Sequence, residues 1–122
     1  MQVIQIWEFR ESVVDSTPFD VVGFDVEAVD GSIGKIDEAT YDAGAAYIVV
    51  DTGPWIFGKK VMLPAGVVSD VDIENRKVYV DRTKDQIENA PEYDEALTND
   101  EAYRTRLGSY YDRAPQPGLT PR

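Results

Sequence analysis

The 122-residue chain reads as an all-β fold: a small, six-stranded, largely antiparallel barrel with an N-terminal arm and a short C-terminal helical extension. Three observations predict this. Between Gly23 and Asp81 apolar residues alternate with polar ones or form short continuous runs. Each run is bounded by Gly, Pro, Asp or Asn, and capping patterns that open a helix occur only after Arg82. About six short strands in roughly 60 residues favour closure, because a closed sheet leaves no edge for another chain to pair with.

The residues ahead of Gly23 follow no single period. Ile4 and Ile6 alternate as in a strand, Val3, Trp7 and Val14 share a helical face, and Ser16-Thr17-Pro18 interrupts both. Residues 1–18 are therefore read as an arm laid on the barrel, with Trp7 and Phe9 as anchors, followed by the barrel domain over 19–93 and a helix with a Pro-rich tail over 94–122.

From Gly23 the alternation is clear: Phe24, Val26 and Ala28 point one way, Asp25 and Glu27 the other. Asp30-Gly31 supplies the positive-φ residue of a tight hairpin. The return strand, 33–39, contains Gly34, the mark of a bulge or sharp bend. Tyr47-Ile48-Val49-Val50 is the continuous apolar run of a strand buried on both faces. Gly53 and Gly58 bracket an apolar tip, and the strand after Lys59-Lys60 stops at Pro64. Residues 67–73 and 78–81 then form a last pair across Glu74-Asn75-Arg76-Lys77. Gly31, Gly34, Gly53, Gly58 and Pro64 are the structural turn positions.

After Arg82 the texture changes. Thr83 with Gln86 makes a capping box that opens a short helical turn, ended by Pro91. Thr98 with Glu101 repeats the pattern and predicts a helix over about residues 99–107, with Gly108 as its left-handed stop. Tyr103, Leu107 and Tyr110 give this helix an adhesive face, which packs it onto the barrel or across a dimer.

Composition narrows function mainly by exclusion. The chain has no His and no Cys, the commonest catalytic and metal-binding side chains, and so no disulfides. A net charge of -11 opposes binding to nucleic acid and to anionic lipid. No apolar run approaches the ~20 residues of a membrane span, and the first residues lack the basic start and small-residue cleavage site of a secretory signal. A cytoplasmic protein is expected. Asp25 with Glu27, and Asp37 with Glu38, read as solvated charges of an acidic strand. Asp70 to Asn75 imitates the start of a calcium loop, but Asn75 stands where such a loop needs Gly and Asp81 where it needs Glu. No catalytic, cofactor-binding or metal-binding residue is predicted, and the expectation is a non-enzyme.

The candidate site is the tip Trp55-Ile56-Phe57. Two aromatics and an Ile projecting together would expose about 400–600 Å², as much as the largest apolar patch of an ordinary monomer. Such a group is covered either by folding back as a plug or by a partner. Lys59 and Lys60 beside it would steer a partner on an otherwise acidic surface. The expected interface is therefore Trp55, Ile56, Phe57, Lys59 and Lys60, with Tyr103, Leu107 and Tyr110 of the helix. The expected partner is a second copy, forming a dimer, and/or another protein.

Taken together, Val29-Asp30-Gly31 with Ile33-Gly34-Lys35-Ile36, Tyr47-Ile48-Val49-Val50, Gly58 to Pro64, Val78-Tyr79-Val80 and Thr83 to Tyr93 resemble the PRC-barrel domain. This small barrel is shared by the photosynthetic reaction-centre H subunit and a ribosome-maturation factor. The resemblance covers roughly residues 19–93 and implies a non-enzymatic adaptor that works through protein contacts or self-association. The membrane anchor of the first relative and the second domain of the other have no counterpart here, so neither role is carried over. Two other readings are a small-ligand barrel, its mouth lined by Trp55, Phe57 and Tyr47, and a ribosome-assembly accessory.

Overall fold

The computed structural model describes residues 6, 7, 9, 20–41, 46–53, 60–91, 93, 94, 96 and 100–113. The alternating stretch becomes β1 (Asp25–Ala28) and β2 (Gly31–Thr40), and the continuous apolar run becomes β3 (Tyr47–Asp51). β4 (Lys60–Pro64) leads through a 3-10 turn (Ala65–Val67) into β5 (Val68–Asp72), and β6 (Lys77–Val80) follows. Two helices complete the fold, α1 (Lys84–Glu88) and α2 (Glu101–Arg113). The six strands form one sheet in the order β4-β3-β2-β1-β6-β5. All neighbours are antiparallel except β1 and β6.

The expected six-stranded, largely antiparallel fold is present, but among the described residues the hydrogen-bonded ladder stays open between β4 and β5. The reason is local. Pro64 brings no N–H to a ladder, and the chain passes at once into the 3-10 corner that separates β4 from β5. The corner is tied down instead by Ala65 N–H to the Ala46 carbonyl (3.0 Å) and by Asp81 N–H to the Val67 carbonyl (3.0 Å).

Bulges curl the sheet. Val26 faces Gly34 while Glu27 faces Ser32, which leaves Ile33 as the extra residue of β2. Asp37 is extra against β3, and Ser69 is extra against β6, its hydroxyl donating to the Tyr79 carbonyl (3.2 Å). At Gly34 φ is +142°, and a Cβ would stand 2.0 Å from the Asp51 carbonyl oxygen. Only glycine lets β2 bend there between its two neighbours.

The Thr83 capping box forms as expected, with Thr83 Oγ1 accepting from Gln86 N–H (3.1 Å) and Gln86 Oε1 accepting from Thr83 N–H (2.9 Å). For α2 the expected cap, Thr98, lies outside the described residues, and Asp100 Oδ1 accepts from Tyr103 N–H (2.9 Å). Gly108 does not stop the helix, which continues to Arg113. A Cβ at Gly108 would lie 2.7 Å from Trp7 Nε1, so its missing side chain makes room for an indole rather than for a turn.

The core draws on every strand and both helices, including Val26, Ile33, Ile36, Ile48, Leu63, Val71, Val78, Ile87, Tyr103, Leu107 and Tyr111. Trp7 and Phe9, the expected anchors of the arm, pack against it.

Gly34→Ala should lower stability by about 3 kcal/mol or more, since a backbone contact cannot relax. Gly53→Ala, at φ +57° with none of the described residues within 4 Å of the added carbon, should cost only about 1–2 kcal/mol. Urea unfolding of the two variants checks the contrast.

Candidate functional site

The alternation that buries Val78 and Val80 runs on past β6 and turns Arg82 inward, where it is 3% exposed. Its Nη2 donates to the Tyr111 carbonyl (2.8 Å), and Nη1 donates to the carbonyl and the carboxylate of Asp81. Tyr111 lies in the last turn of α2, where a carbonyl has no helical N–H to accept and the negative end of the dipole accumulates. The guanidinium therefore caps α2 and fastens it to the end of β6, with its carbon 5.9 Å from the centre of the Tyr111 ring. A second tie links the helices, the Tyr110 hydroxyl donating to the Gln86 carbonyl (2.5 Å).

Tyr103, Leu107 and Tyr111 recur every fourth residue on one face of α2 and are buried against the sheet. Arg82 Nε and the hydroxyls of Tyr103 and Tyr111 are buried and have no hydrogen-bond partner among the described residues. Burial, with a smaller contribution from Tyr93, pushes the Tyr103 phenol up to about 12. Burial also raises Tyr111 and Tyr110.

On the other side of α2 the arm enters a slot. The Ile6 carbonyl accepts from Gly66 N–H (2.7 Å), and the Trp7 carbonyl accepts from Ala46 N–H (2.8 Å). A Cβ at Gly66 would fall 2.8 Å from the Ile6 oxygen. The Arg104 guanidinium lies 4.9 Å from the Trp7 ring centre and 5.7 Å from that of Tyr47. Phe9 stacks on Tyr41 (5.6 Å), whose hydroxyl accepts from Val21 N–H (3.2 Å).

Of the residues expected at an interface, Trp55, Ile56, Phe57 and Lys59 lie outside the described residues, as does Gly58. Lys60 opens β4, half-buried, and its Nζ donates to Asp37 Oδ2 (2.8 Å). Tyr103 and Leu107 are buried within this chain and Tyr110 is half-buried beside α1, so the helix face packs intramolecularly. Gly31 (φ +146°) and Gly53 (φ +57°) take positive φ at the two turns, and Pro64 ends β4. Arg82, Arg104 and Gly66 escaped sequence reasoning. Arg82 alone carried a legible signal, the inward alternation of Val78 and Val80.

Among the described residues no cluster of three or more acidic side chains is placed to hold a metal. The Asp72 carboxylate accepts from the side chain and backbone of Asn75, which lowers its pKa. Asp25 is lowered by its hydrogen bond from Lys35. Both carboxylates act as ordinary surface and turn partners.

A bulge-curled six-stranded sheet, sealed by helices and filled with apolar side chains, defines a small barrel-like domain. Residues 18–87, more than half of the chain, match the family model of the PRC-barrel domain. The chain belongs to the PRC-barrel domain family. Comparison with curated proteins gives no match. Among the described residues no helix is long and apolar enough to cross a membrane.

Tyr111→Phe should leave stability unchanged or raise it by up to about 1 kcal/mol, since it removes a buried hydroxyl with no partner among the described residues. Arg82→Met should cost about 3 kcal/mol. Denaturant unfolding of the pair checks both signs. Tyr103 is protonated when folded and, unfolded, ionises near the ordinary tyrosine value of about 10. Its contribution is whole below about pH 10 and is lost as the pH rises toward 12. Alkaline unfolding followed by tyrosinate absorbance should therefore show stability falling across that window, with part of the absorbance appearing only on unfolding.

Proposed function

We propose that this chain is a non-enzymatic PRC-barrel interaction module of the cytoplasm that forms a dimer and presents Trp55-Ile56-Phe57 to a protein partner. The observation that carries this reading is the filled interior. A barrel that holds a small ligand keeps its inward side chains apart to line a cavity. Here the inward side chains of all six strands belong to one contiguous cluster with Tyr103, Leu107 and Tyr111 of α2. The working part is therefore the outer surface. Tyr47, the described residue of the expected ligand mouth, is half-buried against this same cluster and lies beside Arg104.

The tip joins β3 to β4, two strands paired along their whole length from Tyr47 with Pro64 to Asp51 with Lys60. That ladder gives an apolar loop a rigid base, as recognition loops require. The net charge of -11 favours a partner with a basic docking surface.

Light scattering of the wild type should give twice the chain mass. Crosslinked affinity capture should retain a protein that a Trp55→Ser/Phe57→Ser double variant, still folded and still dimeric, does not. A wild type that is monomeric at every concentration, with identical captures from the two baits, overturns the reading.

A further inference from the structure

We propose that the arm is a strap that fastens α2 to the sheet. Ile6 and Trp7 run between the 3-10 corner and the middle of α2, and their withdrawal releases the helix and bares Tyr103, Leu107 and Tyr111. The helix is then a conditional cover, closed by a segment distant from it in sequence.

The described arm residues meet four parts of the molecule. Gly66 N–H of the corner donates to the Ile6 carbonyl (2.7 Å), and Ala46 N–H, just ahead of β3, donates to that of Trp7 (2.8 Å). The Ala46 carbonyl in turn accepts from Ala65 N–H (3.0 Å), so one short run of backbone bonds joins arm, corner and β3. Phe9 stacks on Tyr41, the residue after β2. On the helix, Arg104 lies over the indole and near the Tyr47 ring, and Gly108 faces Trp7 Nε1. Both helix residues are in the middle of α2, whereas Arg82 and Tyr110 hold its last turns. The arm is thus a second, separate fastening.

Two glycines, one on each wall, leave out side chains where the arm passes. A Cβ at Gly66 would meet the Ile6 oxygen first, at 2.8 Å, and one at Gly108 would meet Trp7 Nε1 first, at 2.7 Å. Neither glycine takes a positive φ, so each supplies space for the arm and not a turn. Ile6, Trp7 and Phe9 are half-buried, and the six-stranded ladder does not include them, so withdrawing them breaks none of the sheet's pairing. Segments held in this way belong to the low-stability end of a structure, from which moving elements are drawn. Because the arm touches both walls, its hold on one is linked to its hold on the other, and the linkage is reciprocal.

Native-state amide exchange of the full chain tests the strap, with the β2 and β3 amides as internal reference. Gly108→Ala crowds the arm from the helix, and Gly66→Ala crowds it from the corner. In the first variant the Gly66 and Ala46 amides should exchange faster than the reference by about tenfold or more. The new methyl group meets Trp7 and Ile6 first, so this effect must travel through the arm. The amides from Tyr103 to Leu107 should quicken too, although the helix propensity of alanine acting alone would slow them. In the second variant the same helix amides should quicken by a similar factor. Both substitutions together should accelerate the helix little more than the stronger one alone, because one arm is withdrawn only once. Independent effects would instead multiply toward about a hundredfold, and that result would overturn the strap. So would helix amides slowed or unmoved by Gly108→Ala with Gly66 and Ala46 still protected. If Gly66→Ala does not fold, exchange at Gly66 and Ala46 in Gly108→Ala still decides.

Discussion

The seal of α2 on the sheet is the constraint on which the rest of the structure depends. A bulged sheet with an open ladder leaves apolar side chains uncovered, and Tyr103, Leu107 and Tyr111 complete that core. Burying three such side chains gains on the order of 5–9 kcal/mol, as much as the whole net stability of a typical domain. The seal is held at its far end by Arg82, a charge taken out of water to cap the helix. It also carries a desolvation cost, since Arg82 Nε and two phenolic hydroxyls are buried with no partner among the described residues.

The same helix also positions the beginning of the chain. Gly108 makes room for Trp7, Arg104 covers it, and the 3-10 corner next to β4 binds the backbone of Ile6. The arm and the C-terminal helix are thus one construction, with the corner between β4 and β5 as its third wall. The family match ends at residue 87, before α2 begins at Glu101. What closes the barrel-like core here is therefore supplied from outside the matched segment.

The strands were legible because their physics is local. Period-two burial, the hairpin at Asp30-Gly31, the bulge at Gly34 and the Thr83 capping box each follow from residues within a few positions of one another. The rest depended on contacts distant in sequence. Gly108 looks the same as a helix stop or as a gap for a side chain, and Trp7 decides between them. The alternation through Val78 and Val80 pointed Arg82 inward, yet a cation is read as surface until its acceptor, the Tyr111 carbonyl, is seen. Pro64 indicated the end of β4 but not that the chain would turn a corner instead of closing the ladder. In the candidate site, the apolar face of α2 was visible in its spacing, whereas the choice between its own barrel and a second copy was not, and the burial of Tyr103 and Leu107 against the sheet answers it for those residues.

Native-state amide hydrogen exchange of the full chain, read residue by residue with rising denaturant, shows whether α2 and the sheet unfold as one unit. If α2 completes the core, its amides from Tyr103 to Tyr111 should exchange only through global unfolding, merging with those of β2 and β3. Helix amides that exchange through a separate opening several kcal/mol below global unfolding, with the sheet still protected, would mean that the core stands without α2.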